Sequence, residues 1–277
     1  MITNTLSVPE GAPNTVHVVP LTREAFAPFG AVITNPAPAS LPSNTPAASV
    51  AALPCGAASA NQGSAIQYRE LCTPRDLYAQ APSRRPAGPR LTMFVCGARE
   101  LVRSRERDDG RNTNGQDEDG LFFEVNILER HPYTTQSFAP LGVDPAADRR
   151  YLVIVAPSLA PSPDDAMLPV PPASGDLPGR GLPDLKRLRA FVATGNQAVT
   201  YGAGTWHAPM AALGPPGSAI DFVVTQSANG VPIEDCQEVV LRRKGGNEDT
   251  GGSGIYVRIP DATSTSTRSS SKPLTKL

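Results

Sequence analysis

The sequence predicts an all-β protein built as a sandwich or a barrel, and three observations indicate this class. About ten short apolar segments recur along the chain, separated by glycine- and proline-rich turns. Proline accounts for 30 of the 277 residues, which excludes a long helical bundle because proline breaks helices. Aromatic residues make up only 5% of the chain. Short strands with little helix are therefore expected.

The first part of the chain is predicted to contain several strands and one helical turn. Residues 1–15 are expected to form a flexible tail, followed by a strand at 16–19. Thr22 is suited to cap the helical turn that follows, and Gly30 is suited to end it. Further strands of this part are predicted at 31–33, 64–72 and 91–99.

The second part of the chain carries the most apolar segments, and the segment YLVIVAPS at 151–158 is the most apolar of all. A glycine turn is predicted to divide the segment 197–213 into two strands. The other strands predicted here lie at 122–131, 188–195, 218–228, 238–241 and 255–259.

Three segments are predicted to be loop insertions between strands, because they are rich in proline or in charge and lack periodicity. They lie at 35–60, 103–119 and 157–183. The Ser/Thr-rich segment 261–277 is expected to be a disordered tail. Residues 16–260 are then predicted to form a single catalytic domain, which the length of the chain allows.

Charge and cysteine usage restrict the class of partner and the compartment. Lys plus Arg is 25 and Asp plus Glu is 26, so no basic excess indicates a nucleic-acid partner. No apolar run approaches the ~18 residues that a membrane span needs, and no secretory signal is expected at the N-terminus. A cytoplasmic protein with reduced, buried thiols is therefore expected, and its cysteines are Cys55, Cys72, Cys96 and Cys236.

The candidate catalytic residues lie in two segments that contain two of the three histidines. The first, ERHPYTTQSF, carries Glu129 and His131 two residues apart, which places both side chains on one face of a strand. Arg130 then faces the opposite side. The second segment, YGAGTWHAP, carries His207. A barrel could direct these side chains, together with Gln136, into one cavity.

The layout of the two segments resembles the two motifs of the cupin family. Glu129 and His131 stand in the positions of its His-x-His pair, Gln136 stands in its carboxylate position, and Gly204 and His207 match its second motif. The resemblance implies a cupin-like double-stranded β-helix, or jelly-roll barrel. It also implies a divalent metal, with His131, His207, Gln136 and Glu129 as its candidate ligands, although a Glu and an amide replace one His and the carboxylate of the usual cupin set.

Longer stretches are similar to the ureidoglycolate lyase family, also called the ureidoglycolate hydrolase family, of allantoin catabolism. The stretches ERHPYTTQSFAPL, PDLKRLRAFVATGNQAVTYGAGTWHAP and IDFVV carry this resemblance. It implies a carbon–nitrogen lyase of purine nitrogen metabolism that cleaves (S)-ureidoglycolate to glyoxylate and urea. It also implies a homodimer, and the bacterial members of the family imply nickel or a similar ion as the metal.

The resemblance implies a role for each candidate residue. His131 and His207 are either an acid–base pair or metal ligands, and the sequence does not decide between these two roles. Gln136 is the third candidate catalytic residue. The residues expected to bind the substrate are Arg99, Glu129, Tyr201, Trp206, Asn61 and Gln62.

Two departures from the family pattern keep other functions open. Gly202 and Ala208 occupy positions where bacterial members tend to carry histidine, which weakens the case for a multi-histidine metal site. One alternative is an amidohydrolase that releases ammonia from the same substrate. The other is a non-catalytic cupin module that binds a small acid.

Overall fold

The protein is described here by a computed structural model that covers residues 2–103, 120–142, 149–172, 177–243 and 251–260. The described residues form eighteen strands, two short α-helices and several 3-10 turns, which confirms the all-β prediction. The strands are β1 (Ile2–Val8), β2 (Thr15–Pro20), β3 (Gly30–Ile33), β4 (Ala57–Ala60), β5 (Ala65–Tyr68), β6 (Gly88–Gly97), β7 (Val102–Arg103), β8 (Leu121–Glu124), β9 (Ile127–Arg130), β10 (Gln136–Leu141), β11 (Arg150–Ala156), β12 (Arg189–Thr194), β13 (Ala198–Tyr201), β14 (Trp206–His207), β15 (Ala211–Leu213), β16 (Ala219–Ala228), β17 (Gln237–Arg243) and β18 (Tyr256–Arg258).

The helical segments are short. The α-helices are α1 (Arg23–Phe26) and α2 (Pro232–Asp235). The 3-10 turns are Ala47–Ala52, Asn61–Gly63, Tyr78–Gln80, Pro163–Asp165 and Leu185–Arg187. None of the helices in the described ranges is long and apolar enough to cross a membrane.

Two sheets pack face to face, as expected for a cupin-like fold. The larger sheet has eleven strands, ordered β1-β17-β9-β14-β11-β12-β2-β18-β8-β7, with β15 also paired to β11. The smaller sheet has five strands, ordered β3-β13-β10-β16-β6. Strands β4 and β5 form a separate two-stranded sheet.

Both faces of the larger sheet are buried at β11, which explains why this strand is apolar from Tyr151 to Ala156. Tyr151, Val153 and Val155 point into the inner core, between the two sheets. Leu152 and Ile154 point to the opposite face, into an outer core that they share with residues of β2, β18 and the loop before β12. Burial of each such side chain contributes roughly 1.5–3 kcal/mol to stability.

The structure corrects the expectation of a flexible tail at residues 1–15. Residues 2–8 form β1, which pairs in parallel with β17 from Ile2 opposite Gln237 to Val8 opposite Arg243. Leu6 and Val8 pack against the outer core, and their burial stabilises the strand at the edge of the sheet.

Gly30 has a different role from the one predicted. Thr22 caps α1 as expected, because its Oγ1 accepts a hydrogen bond from the backbone N–H of Ala25. Gly30 begins β3 instead of ending the helix. A Cβ there would lie 1.9 Å from the carbonyl oxygen of Thr200 in β13, so glycine allows the two strands to approach.

The remaining predictions hold in outline and differ in detail. The strand predicted at 122–131 is interrupted at Val125–Asn126 into β8 and β9. Insertion 35–60 contains a 3-10 turn and β4, and 157–183 contains another 3-10 turn. Most of insertion 103–119 and all of tail 261–277 lie outside the described residues. The single-domain assignment for 16–260 stays a prediction.

All four cysteines are free, and they are half-buried instead of fully buried.

Candidate active site

Glu129, His131 and His207 come together on the inner face of the larger sheet. Glu129 in β9 lies directly opposite His207 in β14, and His131 follows immediately after the end of β9. One potential ligand atom from each of the three residues lies within 4.8 Å of the others. Within the cluster, His207 Nε2 lies 3.6 Å from Glu129 Oε1.

Backbone carbonyl oxygens orient both imidazole rings. His131 Nδ1 lies 2.6 Å from the carbonyl oxygen of Asp235, and His207 Nδ1 lies 2.9 Å from that of Thr205. A carbonyl can only accept a hydrogen bond, so each Nδ1 carries a proton, and in a neutral imidazole Nε2 then carries the lone pair. Neither Nε2 has a hydrogen-bond partner within the described residues, although both atoms are buried.

Burial determines the charge of the cluster. It lowers the pKa of His207 to about 3, and the neighbouring His131 acts in the same direction. His207 is therefore neutral at physiological pH. Burial also raises the pKa of Glu129; nearby Glu238 adds to this increase and His131 opposes it. Glu129 keeps partial access to solvent, with 18% of its side chain exposed.

The donor set fits a divalent cation. His207 Nε2 and Glu129 Oε1 face each other with lone pairs, an arrangement that a cation between them would stabilise. The carbonyl bonds to the two Nδ1 atoms are of the kind that orients histidine ligands in metal sites. Two imidazole nitrogens and one carboxylate suit first-row divalent metals.

Tyr201 and Gln136 extend the cluster onto the smaller sheet. The Tyr201 ring stacks on His207 with centroids 3.9 Å apart and an interplanar angle of 11°. Gln136 lies opposite Tyr201 in the register of β10 and β13. Tyr201 Oη and Gln136 Oε1 are buried, and neither has a hydrogen-bond partner in the described parts of the chain.

Trp206 is placed on the other face of its strand. Its indole is fully buried in the outer core, and its Nε1 donates to the carbonyl oxygen of Gly181. Arg130 stacks on this ring, with its guanidinium carbon 4.4 Å from the ring centroid. Neighbouring residues of a strand point to opposite faces. Trp206 and Arg130 therefore point to the outer core, while His207 and Glu129 point to the inner face.

Three further predicted residues are not brought to the cluster. Arg99 follows β6, is exposed, and lines a cavity of about 610 Å³ beside Phe123. Asn61 and Gln62 are exposed in the turn that joins β4 and β5, in the separate two-stranded sheet. Their substrate contacts stay predictions.

The departures at Gly202 and Ala208 have local physical reasons. Gly202 donates its N–H to the carbonyl oxygen of Phe29, and a Cβ there would meet Thr205 Oγ1 at 3.2 Å. Ala208 packs in the outer core, on the face away from His207. Among the His, Cys, Asp and Glu residues of the described ranges, Glu129, His131 and His207 form the group that could hold a metal ion, and Gln136 as a further ligand stays a prediction.

The sequence analysis missed four residues that contact or border the cluster. Asp235 holds His131 through its carbonyl oxygen. Cys236 Sγ lies 3.8 Å from Glu129 Oε2, and Glu238 lies opposite Glu129 in β17. Gln226 Oε1 accepts a hydrogen bond of 2.6 Å from Gln136 Nε2. Of the four, only Gln226 could have been found from the sequence. Every second side chain of β16 points inward, and Gln226 is a polar residue at one of these inward positions.

Comparison with known proteins identifies a related group of enzymes. Residues 13–246 match the family model described as ureidoglycolate lyase. The chain is 29% identical over 222 residues to the ureidoglycolate lyase of Schizosaccharomyces pombe, covering 80% of this chain and 89% of that one. It is 30% identical over 228 residues to that of Saccharomyces cerevisiae, covering 81% and 93%. It is 31% identical over 210 residues to that of Burkholderia mallei, covering 76% and 81%.

Proposed function

The chain belongs to the ureidoglycolate lyase family, and we propose that it cleaves (S)-ureidoglycolate to glyoxylate and urea. The observation that carries this proposal is the convergence of Glu129, His131 and His207 around two unpartnered Nε2 atoms. The cluster offers a proton acceptor and several groups that can orient a small polar substrate.

The reaction is a redox-neutral elimination. The substrate carbon bears a hydroxyl group, a carboxylate and a ureido nitrogen. The hydroxyl loses its proton, its oxygen forms the carbonyl of glyoxylate, and the bond from carbon to the ureido nitrogen breaks. That nitrogen takes up a proton and leaves as urea. The protein must therefore accept one proton and deliver one, and a positioned group typically contributes 10²–10⁴-fold for such a transfer.

We assign the proton transfer to Glu129. Its carboxylate can accept a proton, and its partial exposure allows a substrate to reach it. Its Oε1 faces His207, so Oε2 is the oxygen that accepts the hydroxyl proton and returns it to the ureido nitrogen. Tyr201 Oη and Gln136 Oε1 are suited to hold the ureido group.

His131 and His207 act as ligands in this proposal instead of as an acid–base pair. His207 has too low a pKa to donate a proton near neutral pH. Glu129 Oε1 and the two Nε2 atoms would hold a divalent cation, nickel or a similar ion. A bound cation would polarise the substrate hydroxyl and lower its pKa.

The test measures product stoichiometry. Purified protein is treated with chelator and given racemic ureidoglycolate, alone or with nickel, manganese or zinc. We expect glyoxylate and urea to appear one for one, and the His207→Asn variant to lose this activity. Stimulation by a metal in wild type that the variant does not show would support the ligand role.

Two results would contradict the proposal. Ammonia and carbon dioxide in place of urea would identify an amidohydrolase. No product under any metal condition, with a small acid bound equally by wild type and His207→Asn, would identify a binding module.

We also propose that the protein forms a homodimer through β6. This ten-residue strand lies at the edge of the smaller sheet and pairs only with β16 in the described chain. Leu91, Met93 and Val95 alternate along its outer face with exposed fractions of 73%, 57% and 69%. A long apolar edge strand tends to pair with another chain, and a second copy offers the same self-complementary edge.

The cellular setting we propose is the cytoplasm, within allantoin catabolism. Free cysteines are consistent with a reducing compartment, and all four are free. The partner is the small-molecule substrate, since a net charge of −1 gives no general attraction for nucleic acid.

A further inference from the structure

A row of polar side chains crosses the inner face of the smaller sheet from its interior to its edge. In the register of the strands, Tyr201 lies opposite Gln136, and Gln226 lies opposite Arg90 in β6. The hydrogen bond between the two glutamines joins these pairs. We call Tyr201, Gln136, Gln226 and Arg90 the amide row. Its burial decreases along the row, from nearly complete at Tyr201 to exposure at Arg90.

A second row crosses the larger sheet and faces the first. His207 lies opposite Glu129, and Glu129 lies opposite Glu238. We call these three residues the acidic row. The two rows touch where Tyr201 stacks on His207, and the acidic row also becomes more exposed away from this contact. The site is therefore most buried at the Tyr201–His207 contact and most exposed at the end that contains Arg90.

We propose that Arg90 and Gln226 bind the carboxylate of the substrate at this accessible end. The inference rests on the proposed function for the identity of the acid. Arg90 makes no hydrogen bond or ion pair with any described residue, so its guanidinium is available to a ligand. A guanidinium binds a carboxylate with two parallel hydrogen bonds, and the side-chain amide of Gln226 beside it supplies a further donor.

The charges of the two rows orient the substrate. The more exposed end of the acidic row carries Glu238, whose carboxylate would repel that of the substrate, so the substrate carboxylate is directed to the amide row. Its hydroxyl and ureido groups then face Glu129 and the histidines. Arg99, the arginine favoured by the sequence, lies beyond the end of β6 and lines a different cavity.

The test compares three arginine variants of the full-length protein. Arg90→Gln removes the proposed contact, Arg99→Gln removes the competing one, and Arg69→Gln is a control at another exposed arginine, in the separate two-stranded sheet region. Each variant is measured for KM and kcat with ureidoglycolate, and for direct binding of glyoxylate by titration calorimetry. Size-exclusion chromatography checks that the oligomeric state is unchanged.

We expect Arg90→Gln to raise KM by roughly tenfold to a hundredfold, the effect of losing a hydrogen bond between charged groups. The value of kcat should change less, and glyoxylate binding should weaken in parallel. Arg90→Lys, which keeps the charge, should restore part of the affinity. Gln226→Glu, which adds a negative charge, should weaken binding more than Gln226→Ala.

Either of two results would overturn the inference. Arg90→Gln could match wild type and the Arg69→Gln control in both KM and glyoxylate binding, or Arg99→Gln alone could lose binding. Failure of the proposed function is distinguishable: wild type would then bind glyoxylate in an Arg90-dependent way without producing urea.

Discussion

Among the described residues, buried polar atoms without a hydrogen-bond partner are concentrated at the contact between the two rows. His131 Nε2, His207 Nε2, Gln136 Oε1 and Tyr201 Oη all belong to this group. A buried group that makes no hydrogen bond costs roughly 1–3 kcal/mol of stability. Removal of one such atom should therefore lower activity without lowering stability, because the atom destabilises the folded protein and is proposed to bind the substrate or the metal.

Tyr201→Phe provides the clearest case. The variant keeps the ring that stacks on His207 and removes only the unpartnered hydroxyl. We expect stability equal to or above that of wild type, measured by urea denaturation, and kcat/KM reduced about tenfold.

Tyr151→Phe is the matched control, since its hydroxyl donates a 2.6 Å hydrogen bond to the Gln197 carbonyl. It should lose about 1 kcal/mol of stability and keep its activity. A Tyr201→Phe variant that is fully active would contradict the substrate contact.

Glu129→Gln tests the proton acceptor. The amide has nearly the same shape but cannot accept the hydroxyl proton, so we expect kcat to fall by roughly 10²–10⁴-fold. The melting temperature should not fall, because a buried carboxylate with a raised pKa is replaced by a neutral group. Glu100→Gln, at an exposed glutamate, serves as the control. Full activity of Glu129→Gln would remove Glu129 from the proton transfer.

At the residue scale, strand alternation predicted part of the site. It correctly separated Glu129 and His131 from Arg130, because the period of a strand is local in sequence. Alternation also places Trp206 and His207 on opposite faces, but which of the two points inward depends on the register of β14 with β9 and β11. Gln226 was missed because its contact with Gln136 joins residues 90 positions apart.

Helix α2 is the element that fixes His131. Its Asp235 supplies the carbonyl oxygen that holds the imidazole, and the Asp235 carboxylate accepts a 2.7 Å hydrogen bond from Tyr78. The adjacent Glu234 is buried and accepts hydrogen bonds from Ser83 and Asn229. The loop around Ser83 is thereby tied to the helix, and a change in this network should affect both stability and the position of His131.

The Glu234→Gln variant tests this hydrogen-bond network through the pH dependence of stability. Burial alone would raise the pKa of Glu234, but the hydrogen bonds from Ser83 and Asn229 outweigh it, and the net shift is downward. The ionised carboxylate therefore stabilises the fold at neutral pH, and this contribution is lost as pH falls below about 4.5 and through the folded-state pKa. Urea denaturation should show Glu234→Gln about 1.5–3 kcal/mol less stable at pH 7.

The difference in the free energy of unfolding between Glu234→Gln and wild type should become smaller as the pH is lowered toward 3. Glu10→Gln, at an exposed glutamate, should show no such pattern. A constant difference at all pH values would mean that ionisation of Glu234 does not contribute to stability.

The sequence predicted the elements that depend on neighbouring residues in the chain. It did not predict those that depend on residues far away in the sequence. The N-cap at Thr22 is a local signal, and α1 begins where it predicts. Strand β1 was missed because its partner, β17, lies more than 200 positions away in the sequence. The role of Gly30 was mistaken for the same reason, since the atom that requires a glycine belongs to Thr200.

At the scale of the whole molecule, the two contacts we propose for the smaller sheet, with the substrate and with a second copy, both lie on β6. The inner face of β6 carries Arg90 and the outer face carries Leu91, Met93 and Val95. Alternation along the strand keeps the proposed substrate contact and the proposed subunit contact on opposite sides. Disruption of the dimer should consequently leave the polar rows intact.

Met93→Glu tests the dimer. A charge within the apolar outer face should prevent pairing, and analytical ultracentrifugation should show a dimer for wild type and a monomer for the variant. Met167→Glu is a matched control, since Met167 is 86% exposed and lies outside β6. A wild-type monomer, or a Met93→Glu variant that still dimerises, would contradict the proposed interface.

The way the outer core holds Arg130 has a consequence for how the chain can diverge between species. The guanidinium donates to the carbonyl oxygens of Gly179, Arg180 and Gly181, so the loop binds it through main-chain atoms. A substitution there keeps the carbonyl oxygens that bind Arg130, but all three positions are restricted for other reasons. Gly179 has a φ of +81°, and a Cβ at Gly181 would lie 1.8 Å from the carbonyl oxygen of Leu159. The Arg180 side chain pairs with the buried Asp165. Orthologues should therefore keep both glycines and the ion pair.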